Sequence, residues 1–253
     1  MLKEDLSIIM VGKLSKAALT QLAYYKSIAS CVISCWDNDN LNLLNDYDLK
    51  DVQLVVNPSN AIPEHAGPGT IYFQVTTAKA AMQLVKTKFT IKTRLDESFS
   101  NLDPLIKLME ASPEKIVAGS VSFSKNGDAE PYHAGDHFYG SKSDTMQKAL
   151  TLLKLSLEEK LPEGGLFNSD KFVKIDRIEQ YLTRAFLYSN GETSFTKEIE
   201  KEVMKRNYEI CRIRHLGSVH DTNTHGFGTV FFPNGSIPDT LDQTPNFETM
   251  QDY

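Results

Sequence analysis

The chain has 253 residues, of which 41% are hydrophobic and 24% charged, with a net charge of −6. That composition can bury a full core, so disorder is expected only towards the ends. An acidic balance with no Lys/Arg cluster argues against nucleic acid as the main partner, because phosphate backbones are gripped by basic faces.

Cys31, Cys35 and Cys211 form no CxxC pair, and Cys31 and Cys35 lie at the two ends of one apolar run, where they read as small buried hydrophobes. The charged start, Met1 to Asp5, runs straight into a strand-like segment and does not read as a signal peptide. No apolar stretch approaches the ~20 residues that a membrane span requires. The expectation is a cytoplasmic, unanchored protein with no transmembrane segment.

In chain order, residues 6–11 form a short apolar run closed by Gly12, which reads as a buried strand. Ser15 opens a helical pattern through Ala18, Leu19, Leu22, Tyr25 and Ile28. Two more apolar runs follow, from Cys31 to Trp36 and from Val52 to Val56, and each ends in a polar cluster. The stretch from Ile62 to Gly69 is rich in Pro and Gly and reads as a loop. A helix is predicted from Tyr72 to Lys86, then a strand from Phe89 to Thr93 that ends abruptly in Arg94-Leu95-Asp96-Glu97. Beyond it come a helix (Leu102 to Ala111) and a strand (Ile116 to Phe123). A polar loop surrounds Pro131-Tyr132-His133, followed by helices from Asp144 to Glu159 and from Ile175 to Tyr188. A charged helix (Phe195 to Lys205) and a strand (Tyr208 to Leu216) lead to an aperiodic tail expected to be loose.

Repeated strand–helix–strand order at this spacing predicts right-handed βαβ units and a mostly parallel sheet flanked by helices, an α/β fold with a Rossmann-like N-terminal half. Open α/β sheets bind ligands at the carboxyl ends of their strands. The polar clusters at 12–13, 37–40, 57–60 and 94–97 all fall at such ends.

Residue types alone leave the turn at 94–97 open to two readings. It is either a solvated strand-to-loop turn or a place where a carboxylate holds a hard divalent cation and, through it, a pyrophosphate. Three stretches add a resemblance. Residues 8–12 with 32–36, the turn Lys92-Thr93-Arg94-Leu95-Asp96-Glu97, and the block His133-Ala134-Gly135-Asp136-His137-Phe138-Tyr139-Gly140 together resemble the WavE-like lipopolysaccharide-synthesis family of GT-A-type glycosyltransferases.

The resemblance implies a single GT-A-like domain with a nucleotide-sugar-binding half (1–98) and an acceptor-binding half (99–253). It also implies transfer of a sugar from a nucleoside-diphosphate donor to a glycan hydroxyl in the synthesis of a surface polysaccharide or glycoconjugate. Gly12, Asp37, Arg94 and Asp96 are then the donor-side residues, with Mn²⁺ or Mg²⁺ as the implied cofactor held by Asp96. The usual D-x-D would place an acid where Arg94 stands, so only Asp96 matches, and Arg94 can contact donor phosphate directly as a bidentate cation.

Asp136 is a candidate general base or sugar-binding residue, with His133, His137 and Tyr139 on the acceptor side. Glu179, on an amphipathic helix, is the second candidate base. His215, His220 and His225 recur every five residues. A late histidine completes the metal shell in some GT-A enzymes, and His215 is the candidate here. Two other functions fit the same residues: a metal-dependent phosphoesterase or hydrolase, and a non-catalytic nucleotide-sugar-binding protein.

Overall fold

The structure is a computed structural model. It describes residues 1, 3–60, 71–119, 121–124, 133–158, 178–192, 194, 199–211, 216–221, 229–231 and 247–249.

The first half is a run of βα units. Strand β1 (Leu6–Val11) leads through helices α1 (Lys16–Thr20) and α2 (Leu22–Ile28) to β2 (Ser30–Trp36) and β3 (Val52–Asn57). Helix α3 (Ile71–Met82) then delivers β4 (Phe89–Arg94), and the chain turns at once into β5 (Glu97–Phe99). The pattern expected between Ser15 and Ile28 is interrupted at Gln21, so one predicted helix is two. Ser15 caps α1 by accepting a hydrogen bond from the Ala17 N–H at 3.2 Å.

The second half contributes α4 (Asp103–Ala111), β6 (Ile116–Ala118), β7 (Val121–Ser124), β8 (His133–Ala134) and β9 (Phe138–Lys142). Helices α5 (Ser143–Leu157), α6 (Ile178–Ser189) and α7 (Glu200–Asn207) follow, then β10 (Tyr208–Ile210), β11 (Ser218–Asp221), β12 (Thr229–Phe231) and β13 (Phe247–Thr249).

The central sheet has seven strands in the order β10-β6-β9-β4-β1-β2-β3. Strands β1 to β4 run parallel, β6 and β10 share their direction, and only β9 opposes them, wedged between β4 and β6. Two three-stranded sheets, β12-β11-β5 and β13-β7-β8, complete the described strands.

A core lies on each face. Ile9 and Val11 point to the side covered by α3, α5 and α6, while Ile8 and Met10 point to the side of α1, α2 and α4. Burial on both faces explains why β1 and β2 read as apolar runs rather than as alternation, whereas β3, at the edge, is half-exposed.

Three expectations are corrected. The strand predicted from Ile116 to Phe123 is two strands in two sheets, β6 and β7. Between the loop expected around Pro131-Tyr132-His133 and the helix expected at Asp144, where no strand was predicted, lie β8 and β9. Phe138 enters one core and Tyr139 the other, and Gly140 lies against Met109, whose Sδ would sit 2.6 Å from an added Cβ. The tail expected to be loose carries β11, β12 and β13. The Pro/Gly-rich loop predicted at 62–69 lies outside the described residues. Among the described residues, no helix is long and apolar enough to cross a membrane.

The turn after β4 is anchored from beneath by tyrosines of α2. The buried Tyr25 hydroxyl accepts from the Phe99 N–H at 2.8 Å, and the Tyr24 hydroxyl accepts from the Leu102 N–H at 2.7 Å. Tyr25→Phe leaves a buried N–H without its acceptor. It is expected to lower unfolding stability by about 1–3 kcal/mol in urea titration; an unchanged midpoint would show that the Phe99 N–H has another partner.

Candidate functional site

The sharp turn at 94–97 is held open by Leu95, a fully buried side chain between charged neighbours. Its N–H donates to the Val11 carbonyl at 2.9 Å, and its own carbonyl accepts from the Ser15 hydroxyl at 2.8 Å. Pinned there, the chain directs the side chains of Arg94, Asp96 and Glu97 into one cluster at the carboxyl edge of the sheet.

Arg94 forks onto Asp96, with Nε 2.9 Å from Oδ1 and Nη2 2.6 Å from Oδ2. The same guanidinium lies 3.4 Å from Asp136 Oδ2 through Nη1, and 3.8 Å from Glu97 Oε1 through Nε. Asp136 Oδ2 also accepts from Gln74 Nε2 of α3 at 2.7 Å, and the Asp136 carbonyl accepts from Lys92 Nζ at 2.8 Å. His137 Nδ1 meets Glu97 Oε1 at 2.5 Å. Period-two alternation along β4 places Lys92 and Arg94 on one face, the face on which α3 and the block after β8 converge. Antiparallel β9 is what carries that block to β4.

Exposure sorts the charges. The Asp96, Glu97 and Asp136 side chains are only 9%, 3% and 9% exposed, whereas Arg94 is 19% and His137 42% exposed. Carboxylates lie beneath, and two cations face outward.

The ionisation of the cluster follows from these contacts. The Glu97 carboxylate raises His137 to about 9, against the opposing effect of desolvation. Burial lowers Lys92 to about 8, although Asp136 works the other way. Burial would raise the Asp136 carboxyl, yet Arg94, Lys92 and His137 together hold it below its ordinary value. Burial likewise opposes the charge on Arg94, but the hydrogen bonds to Asp96 and the surrounding carboxylates raise it further above its already high range.

The remaining expected residues are placed as follows. Gly12 has φ +111°, a conformation that side-chain-bearing residues rarely adopt, and its N–H donates to the Ser34 carbonyl at 3.1 Å. Asp37 is exposed at the end of β2, where Ser59 holds its carboxyl below the ordinary range, and Oδ1 accepts from the Ser59 N–H at 3.0 Å. Its neighbour Asp39 ties the β1 loop to β2, because one carboxylate oxygen accepts from the N–H groups of Leu14 (3.0 Å) and Trp36 (2.9 Å).

Tyr139, expected on the acceptor side, is a core residue. Its ring packs on Phe186 at 4.9 Å, its hydroxyl donates to the Ala134 carbonyl at 3.2 Å, and Lys92 lies over its face. Glu179 is half-buried in the first turn of α6, outside the hydrogen-bonded cluster among the described residues. The backbone of His133, in β8, pairs with that of Ser122 in β7, and the backbone of His220, in β11, pairs with that of Glu97 in β5. His215 and His225 lie outside the described residues.

Two members of the cluster, Gln74 and Lys92, were not singled out as site residues from sequence, and Glu97 was named only as part of the turn at 94–97. The available signal was a lysine inside a doubly buried strand, two residues before an arginine on the same face.

The implied metal does not fit this arrangement. Both Asp96 oxygens are taken by Arg94, and among the described residues no three His, Cys, Asp or Glu side chains are grouped to hold an ion.

No protein-family model and no curated protein matches the chain. Among solved structures it is similar to HddC from Yersinia pseudotuberculosis, at 12% identity over 56% of this chain and 78% of that one, with a TM-score of 0.34. It is similar too to HddC complexed with GMP-PN, at 11% identity over the same shares, with a TM-score of 0.35. Likenesses this distant carry no argument about activity.

The His137–Glu97 pair makes stability depend on pH. Because His137 is raised from 6.5 to about 9, its contribution is complete below pH 6.5 and is lost as pH rises towards 9. Lys92, lowered from 10.5 to about 8, instead favours the folded state increasingly from pH 8 to 10.5. Between pH 6.5 and 8 the Tm is therefore expected to fall in the wild type and to fall less in His137→Gln. Equal slopes would mean that the pair does not form in solution.

Proposed function

We propose that the chain is a transferase that moves a glycosyl group from a nucleoside-diphosphate sugar to a glycan hydroxyl in the synthesis of a surface polysaccharide or glycoconjugate. The observation that carries this reading is the layering of charge. Arg94 and His137 face outward over three buried carboxylates, at the carboxyl edge of four parallel strands. An anionic ligand approaching that edge meets fixed cations first. The exposed Asp37 at the end of β2 suits the hydrogen-bond donors of a nucleobase, and the turn at Gly12 leaves room for the chain of phosphates between them.

In the reaction, the bond between the anomeric carbon and the diphosphate oxygen breaks, and its electron pair leaves with the diphosphate. Arg94 and protonated His137 stabilise the charge that develops there, and preorganised cations in a water-poor site are effective at this. The acceptor oxygen bonds to the anomeric carbon and gives up its proton to a base.

Of the two candidate bases, Asp136 is engaged by Arg94, Gln74 and Lys92 and held below its ordinary pKa, which weakens it as a proton acceptor. Its role in this reading is to position Arg94 and Lys92, and Glu179 becomes the preferred base. His133 belongs to the acceptor side.

Two measurements test the reading. Arg94→Lys keeps the charge but cannot fork, so isothermal titration with UDP, GDP, ADP, CDP and dTDP should show the best ligand weakened by about 1–3 kcal/mol. Undiminished affinity would remove Arg94 from the donor site. Glu179→Gln should lower kcat at least tenfold with donor affinity unchanged, while Asp136→Asn should weaken donor binding as well. The reverse pattern would restore Asp136 as the base, and release of free sugar without any acceptor dependence would point to a hydrolase.

A further inference from the structure

One guanidinium reaches three carboxylates. Arg94 engages both oxygens of Asp96, at 2.9 and 2.6 Å, and lies 3.4 Å from Asp136 Oδ2 and 3.8 Å from Glu97 Oε1. A hard divalent cation in this turn would draw on the same three carboxylates, with oxygens at roughly 2.0–2.6 Å from the ion. Each already meets a positive charge or a hydrogen-bond donor. Asp136 Oδ2 accepts from Gln74, and Glu97 Oε1 meets His137. A divalent ion would have to displace the arginine or sit beside it, bringing like charges together with His137 and Lys92 close by.

We infer that Arg94 stands in the seat of a divalent cation, so that this site takes a nucleoside diphosphate without metal. The inference rests on the donor-binding reading above and adds what neutralises the diphosphate. Arginine suits the task because its charge does not titrate near neutrality and its planar fork matches both a carboxylate on one side and a phosphate on another. Asp96 then serves as the orienter of Arg94. Its carboxylate fixes the rotation of the guanidinium plane, and the ligand is met by the outward cations.

The departure from a D-x-D pattern thus acquires a physical meaning. The position where an acid would contribute to a metal shell holds the cation itself.

The test uses the wild-type chain, so no variant has to fold. The same five nucleoside diphosphates are titrated calorimetrically in EDTA and in Mn²⁺, and Mn²⁺ alone is titrated into the protein with free ion followed by electron paramagnetic resonance. The expected result is a diphosphate Kd in EDTA within threefold of that in Mn²⁺, and no Mn²⁺ bound by the protein alone in the micromolar range. Binding more than threefold tighter in Mn²⁺, or micromolar binding of Mn²⁺ itself, overturns this inference and leaves the donor-binding reading intact. If none of the five diphosphates binds in either buffer, the donor-binding reading falls, and this inference falls with it.

Discussion

The interaction on which the site depends is the fork between Arg94 and Asp96, two residues apart in sequence and locked face to face by the turn between them. Burying three carboxylates within reach of one another is costly unless each is paired and hydrogen-bonded. Here Arg94 touches all three, His137 pairs with Glu97, and Lys92 and Gln74 hold Asp136. Removing Arg94 would leave buried negative charge uncompensated at all three, so the cluster behaves as a unit rather than as a set of pairs. The fold supplies the constraint from behind, through Leu95, Ser15 and the two tyrosines of α2.

Antiparallel β9 is the second requirement. The parallel strands β1, β2, β3 and β4 can bring loops 12–15, 37–40 and 94–97 to one edge, but Asp136 and His137 come from far along the chain. They reach the turn because β9 inserts between β4 and β6, with Thr93 opposite Phe138 and Lys92 opposite Tyr139. The buried Tyr139 is thereby a structural member of the site, since its ring lies against the Lys92 ammonium.

Much of this architecture was legible in the sequence, for physical reasons that also explain the failures. Strands buried on both faces, β1 and β2 above all, read as apolar runs, and β1, β2, β3 and β4 were placed within a residue or two, although β3 is a half-exposed edge strand. Strand β9 was missed because Gly140, Ser141 and Lys142 break any such run, and the glycine is there for contact with Met109 rather than for a turn. The helix predicted across Gln21 is broken there into two, and its first part leans on the turn, with the Ala18 N–H 3.4 Å from the Leu95 carbonyl. In the cluster, Arg94, Asp96, Asp136 and His137 were each named from sequence as separate candidates. Their meeting was not readable, because it depends on a register between β4 and β9 that no local pattern encodes. The fork of Arg94 onto Asp96, a partner two positions away, is likewise something that spacing alone does not reveal.

The central claim is that the Arg94 guanidinium, fixed by Asp96, is the cation that receives a nucleoside diphosphate. The most direct measurement is the side-chain Nε–H signal of Arg94 in ¹⁵N-labelled protein, assigned by its loss in Arg94→Lys. A guanidinium held by Asp96 should show a sharp, solvent-protected signal near neutral pH that moves on saturation with UDP or GDP in EDTA. A signal that exchanges freely with water, or one that UDP and GDP leave in place while both are bound, would contradict the claim.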